Sequence, residues 1–204
     1  MPITNVIKTL SKNATINNWK SSNRLVAKTS PIKLVTNYAR LRPNDIVHWD
    51  KIGKEFDFVS SPFNIHSANG LKLQVSSPGT FLRLDAGSGI KGNFRSGDKL
   101  LFLEFSDGAI TIDFSTPIFG VGTQIQRAFF GAFTGVIEAF DCYGKSLGKF
   151  TVPGNSDNTG ENSATFIGVL SQTANISRIT LYVPENGGYG FTINGLNLVT
   201  RSSY

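Results

Sequence analysis

Cysteine is nearly absent from this chain of 204 residues: Cys142 stands alone, so no internal disulfide can form. Outside a cell, stability would then have to come from the core or from a bound ion. A reactive thiol needs a basic neighbourhood to lower its pKa, and the sequence offers Cys142 only Lys145, so it reads as an inert packing cysteine. Histidine is almost as scarce. His48 and His66 both fall in strand-like text, and no Gly-x-Ser-x-Gly elbow accompanies them. A nucleophilic triad has no base beside its nucleophile, and zinc has no ligand set at suitable spacing. Methionine occurs once, at the start, and acids are missing altogether before Asp45. No apolar run reaches the length of a transmembrane helix, and no secretory signal opens the chain. Runs of helix-favouring residues are also lacking.

What is present favours strands. Phe is abundant at 16 and Gly at 21, residues suited to half-buried pleated surfaces and to tight turns. Hydrophobic residues make up 40%, enough for one core of useful size. The net charge of +6 is unevenly placed, because eight Lys and Arg precede Asp45 while the remaining 12 meet all 14 acids. Two parts follow: residues 1–43, a basic arm rich in Asn, Ser, Thr and Lys, and residues 44–204, a slightly acidic body. In the arm, Ile3, Val6, Ile7 and Leu10 permit a short amphipathic helix. A transit peptide, a membrane-surface helix and a nucleic-acid arm compete there with a solvated extension. Evenly spread lysines argue against nucleic acid. Leu25-Val26, Ile32 and Leu34-Val35 point to ordered stretches.

The body announces many short strands. Residues 45–49 open it, and Leu71, Leu73 and Val75 alternate with Lys72 and Gln74. Phe81 to Leu84 and Leu100 to Leu103 follow. Asp107-Gly108 predicts a hairpin joining that last run to the alternating Ile110, Ile112 and Phe114. Residues 121–125, 133–140, 148–152 and 163–170 continue the pattern, with a hairpin tip at Tyr143-Gly144-Lys145. Ile179, Leu181 and Val183 share one face. Phe191 and Ile193 also share one, but Leu196 and Leu198 are out of step by one residue, which predicts a bulge at Gly195. The fold class is all-β: a two-sheet antiparallel sandwich of jelly-roll type behind a basic N-terminal extension, with a closed barrel as the alternative.

Residues 108–126 (GAITIDFSTPIFGVGTQIQ), with 133–141, 147–152 and 166–169, resemble a poorly characterised bacterial domain. That domain occurs in secreted proteins, some bearing PEP-CTERM sorting signals. The resemblance covers about 45–199, with Ser61-Pro62-Phe63 and Gly92-Asn93-Phe94 fitting more loosely. It implies an extracellular or cell-surface β-sandwich akin to carbohydrate-binding modules, and it carries over no site residues. The chain departs from the pattern in having no signal peptide and no sorting tail at Arg201 to Tyr204, so compartment stays open.

Candidate chemistry is thin. Glu104, Asp113, Glu138 and Asp141 lie on strands, and paired carboxylates would be needed for glycoside hydrolysis. The Gly87 to Gly92 stretch lacks the ending and the helix of a phosphate loop. No cofactor is required, and calcium is the ion the residues best admit: Asn155, Asp157, Asn158 and Glu161 place hard oxygens around a glycine. Sugar recognition needs rings that stack on pyranose faces and amides that fix hydroxyls. Tyr143, Tyr182, Tyr189 and Asn186 are the candidates, with Trp19 and Trp49 considered and Trp49 assigned to the core margin. Phe129, Phe130 and Phe133 read as core and would mark a partner surface if exposed. The expected function is a non-catalytic binding or adhesion module, first for a glycan or surface polymer. The alternative is a self-assembling shell- or filament-type subunit that forms a homo-oligomer through the arm.

Overall fold

A computed structural model describes residues 32–89, 92–184 and 187–202. Thr, Val, Ile and Phe at alternating positions produce fifteen strands among these residues. In chain order they are β1 (Lys33–Val35), β2 (Asp45–Val47), β3 (Phe58–Val59), β4 (Phe63–His66) and β5 (Lys72–Ser76). Next come β6 (Thr80–Asp85), β7 (Lys99–Glu104), β8 (Ile110–Ile118), β9 (Gly120–Arg127) and β10 (Gly131–Phe140). The last are β11 (Ser146–Ser156), β12 (Thr165–Leu170), β13 (Ile176–Tyr182), β14 (Gly190–Ile193) and β15 (Leu196–Val199). Among the described residues, helix is limited to α1 (Tyr38–Leu41) and a 3-10 turn at Trp49–Ile52. No helix among the described residues is long and apolar enough to cross a membrane.

Two antiparallel sheets stack on one core, a sandwich of jelly-roll type as the sequence predicts. The larger runs β1-β12-β9-β14-β7-β6-β3, with β15 beside β9 and β2 beside β15. The smaller runs β11-β10-β13-β8-β5-β4. From β7 to β10 each successive strand changes sheet, so both inner faces feed the same apolar layer. Val47, Trp49, Phe81, Leu101, Leu103, Val121, Ile125 and Phe191 enter from the larger sheet and its loops. Leu73, Val75, Ile110, Ile112, Ile137, Ile179 and Leu181 meet them from the smaller. Trp49 is fully buried, and its indole N–H donates to the Asn194 carbonyl at 2.7 Å, which satisfies the one polar atom of a core ring.

Several expectations hold and three fail. The Leu34-Val35 stretch is ordered as β1, a strand on the edge of β12. The Tyr143-Gly144-Lys145 tip joins β10 to β11, with Asp141 Oδ1 accepting the N–H groups of Tyr143 and Lys145, both at 2.9 Å. Gly144 has φ 76 there with open space around it, so Gly144→Ala should cost about 1 kcal/mol from the left-handed backbone alone. Urea unfolding checks this, and Gly144→Asn should cost less. The Asp107-Gly108 hairpin, by contrast, does not form. Ile110, Ile112 and Phe114 do bury one face, but β8 pairs with β5 and β13, whereas β7 pairs with β6 and β14. The chain crosses between sheets instead, turning at Phe105 with φ 45, and neither Asp107 nor Gly108 has a positive φ. Two strands that bury a face against one core from opposite sides show the same alternation as a hairpin pair. Cys142 is exposed in the hairpin turn, not packed. Phe133 is buried, but Phe129 and Phe130 are exposed. The arm's Ile3, Val6, Ile7 and Leu10, with Trp19 and Leu25-Val26, lie outside the described residues.

Candidate functional site

The larger sheet turns a partly polar face outward, and a bulge shapes it. Ile193 faces Ile125 and Asn197 faces Gly122, so Asn194, Gly195 and Leu196 sit opposite only Gln124 and Thr123. This is the irregularity predicted at Gly195. The extra residue frees the Asn194 side chain to replace strand contacts. Its Oδ1 accepts the Gln124 backbone N–H at 2.9 Å, and its Nδ2 donates to Gln124 Oε1 at 2.7 Å and to Asp98 Oδ2 at 3.2 Å. Gln124 Nε2 in turn donates to Asn162 Oδ1 at 3.1 Å and to the Ala164 carbonyl at 3.0 Å. A chain of three amides anchored on the Asp98 carboxylate therefore runs Asp98, Asn194, Gln124, Asn162 across three loops and one strand. Each amide is held by its neighbour, so little rotamer freedom remains to be lost on binding.

Aromatic rings flank the amides. Phe166 lies opposite Gln124 on β12, and its ring lies across the backbone of two paired glycines, Gly122 and Gly168. A Cβ on Gly122 would come within 2.6 Å of Phe166 Cζ, so only glycine leaves the ring its seat. Tyr38, presented by α1, meets Phe166 edge to face with centroids 6.4 Å apart. Asn37 caps α1 by accepting the Ala39 N–H at 2.8 Å, and this fixes where Tyr38 emerges. Together these groups line an open groove of about 1010 Å³, with His48 and Arg95 exposed on its walls. Asn197 stands in its lining as well, 92% buried. Its Nδ2 donates to the carbonyls of Gly122 at 3.3 Å and Gly195 at 3.2 Å, and its Oδ1 takes no hydrogen bond from the described residues. Asp98 is the single carboxylate among the described lining residues.

The three tyrosine candidates lie outside the groove and apart from one another. Tyr143 is exposed at the β10–β11 tip, while Tyr189 packs edge-on against Phe129 at the opposite end of β10, with centroids 4.1 Å apart. Tyr182 sits on the outward face of the smaller sheet under Lys149, whose ammonium is 5.4 Å from the ring and is held above its ordinary pKa by the Tyr182 hydroxyl. Asn186 lies outside the described residues. In the calcium candidate, Asp157 Oδ1 accepts the Thr159 N–H at 2.9 Å and the Asn93 amide at 2.6 Å, and Asn155 Nδ2 approaches Oδ2 at 3.4 Å. These bonds, the Thr159 N–H foremost, hold the Asp157 carboxyl below its usual range. Asn158 and Glu161 are exposed beside it. No group of three or more His, Cys, Asp or Glu gathers among the described residues. Asn93 is instead the centre of this loop, donating also to Ser163 Oγ at 2.9 Å and accepting the Asp157 N–H at 2.8 Å. Asp113 pairs with Arg178 at 2.6 Å, and Asp141 serves its own turn, so neither enters the groove. His48 is exposed at the surface, just after β2.

The groove residues come from seven separated stretches, and no motif links them. Two signals were nevertheless present: Gln124 is polar on the face of its strand opposite Val121 and Ile125, and Asn194 precedes the bulge glycine.

Fold and site together define a class, a two-sheet β-sandwich with a preformed polar groove on one sheet. No protein-family model matches the chain, and no curated protein does either. Among solved structures it is similar to a DUF4465 family protein from Bacteroides caccae, at 12% identity and TM-score 0.46, covering 81% of this chain and 99% of the other. It is also similar to the C-terminal family 6 carbohydrate-binding module of a laminarinase from Zobellia galactanivorans, at 16% identity and TM-score 0.36, covering 61% and 90%. A family 6 module from Clostridium stercorarium in complex with cellobiose gives 16% and 0.34, covering 73% and 98%.

Proposed function

We propose that this chain is a non-catalytic glycan-binding module of the cell exterior, with the saccharide lying in the groove of the larger sheet. The observation that carries this is the amide chain from Asp98 to Asn162, held rigid beside the rings of Phe166 and Tyr38. A pyranose presents an apolar C–H face and a rim of hydroxyls that both donate and accept. The groove offers the matching parts: aromatic rings for the face, the Asn197 Oδ1 as an acceptor, and Arg95 and His48 as donors. Hydrolysis would need two carboxylates flanking the bond, and the described lining holds one, already bound to Asn194.

The test is a glycan array probed with the full chain, followed by calorimetric titration of the best hit. Binding is expected, and Asn197→Ala should weaken it about fivefold, the worth of roughly 1 kcal/mol for one hydrogen bond. Failure to bind any polysaccharide on the array would overturn the reading, as would a hit that Asn197→Ala leaves unchanged.

A further inference from the structure

A second pocket adjoins the groove across the single turn of α1. Residues 36–38 help line the groove, while residues 39–42 line this neighbour, a pocket of about 430 Å³. Leu41, Phe119, Leu170 and Val199 form its apolar floor, and Lys33, Arg40 and Arg42 stand around it. No described acidic residue lines it, and none of the three cations is ion-paired with a described residue. The position of Arg42 is built in: it caps α1 in the left-handed conformation, φ 52, with its N–H donating to the Tyr38 carbonyl at 3.4 Å. A residue other than glycine in that conformation carries a cost of about 1 kcal/mol. Three cations at one pocket, none paired with a described carboxylate, also repel one another, and an anion seated among them relieves that repulsion. Arg95, exposed on the groove wall, is likewise in no ion pair with a described residue.

We infer that the ligand is an acidic polysaccharide: its chain lies in the groove, and its carboxylates are met by Arg95 and, beyond Tyr38, by Lys33, Arg40 and Arg42. This rests on the glycan reading of the groove and adds the charge of the ligand. An apolar floor ringed by cations suits a uronic acid residue, whose ring has an apolar face and whose carboxylate takes a guanidinium in bidentate fashion.

The experiment titrates the full chain with polygalacturonate, alginate and hyaluronan, each beside its carboxyl-reduced neutral counterpart, at low and at high salt. At least one acidic polymer should bind about tenfold tighter than its reduced form, with the advantage shrinking in salt. The Arg40→Ala, Arg42→Ala double variant should lose that advantage, roughly fivefold to tenfold, and leave binding of the neutral polymer unchanged. If acidic and reduced polymers bind equally, the acidic assignment is overturned while the groove reading stands. If only the acidic polymers bind, and polyglutamate binds as well as they do with no effect of Asn197→Ala, the surface is a general polyanion face and both readings fall. If no polymer binds, both fall as well.

Discussion

Replacing Asp85 by Asn should lower the stability of the fold by about 3 kcal/mol at neutral pH, the usual consequence of stranding a buried charge. Arg83 and Asp85 lie two residues apart on β6 and so point to the same face. The Arg83 side chain is only 4% exposed and is paired with Asp85, which also takes the Lys99 ammonium at 2.7 Å from directly across the sheet. Burial raises the pKa of the Asp85 carboxyl, but the hydrogen bonds from Lys99 and Arg83 outweigh it and hold the group below its ordinary value. A carboxyl depressed by folding stabilises the native state above its unfolded pKa, near 4, and loses that contribution as pH falls through the folded value. The gap between native chain and variant in urea unfolding should therefore be widest near pH 7 and close progressively below about pH 4. A gap that stayed constant to pH 2 would show that the loss comes from shape and not from charge. Arg83→Met with Asp85→Leu removes both charges together and should recover most of the loss, which keeps the test open if the single variant fails to fold.

The two kinds of information in the sequence were unequally legible. Period-2 alternation located nearly every strand, because burying one face of a pleated strand imposes that pattern whatever the strand pairs with. Leu73 and Val75 are fully buried as that rule requires. Partner choice leaves no such trace. The Asp107-Gly108 turn therefore looked like a hairpin when its flanking strands belong to different sheets. The bulge at Gly195 was legible because a slip of one residue inverts which side chains face the core, and Leu196 and Leu198 show it directly. The groove was not. Its amides act as a set only after the bulge brings Asn194 beside Gln124, 70 residues away in sequence. The tyrosines chosen for their chemistry sit at the two ends of β10 and on the face of the smaller sheet. A residue type suited to sugar contact does not say which face of the sandwich it occupies.

Removing the Phe166 ring should have the largest effect on binding. Phe166→Ala is expected to weaken the saccharide about thirtyfold, the roughly 2 kcal/mol typical of a central aromatic contact. The ring is placed by what is missing beneath it: Gly122 and Gly168 face each other in register and have no side chains to lift it. Gly122→Ala is therefore a sharper companion. Its new Cβ would stand 2.6 Å from Phe166 Cζ, so the ring must leave its seat while every polar group of the groove stays chemically intact. Both variants should lose binding to a similar extent. Because Phe166 also packs against the cluster of Val35, Leu41 and Val199, thermal unfolding of each variant must be measured alongside. A folded Gly122→Ala protein that binds as tightly as the native chain would remove the ring from the site, and a folded Phe166→Ala protein that did the same would remove the groove. If both lose binding while Tyr143→Ala and Tyr182→Ala retain it, the larger sheet is the face that reads the ligand, since those two rings lie away from the groove at the hairpin tip and on the smaller sheet.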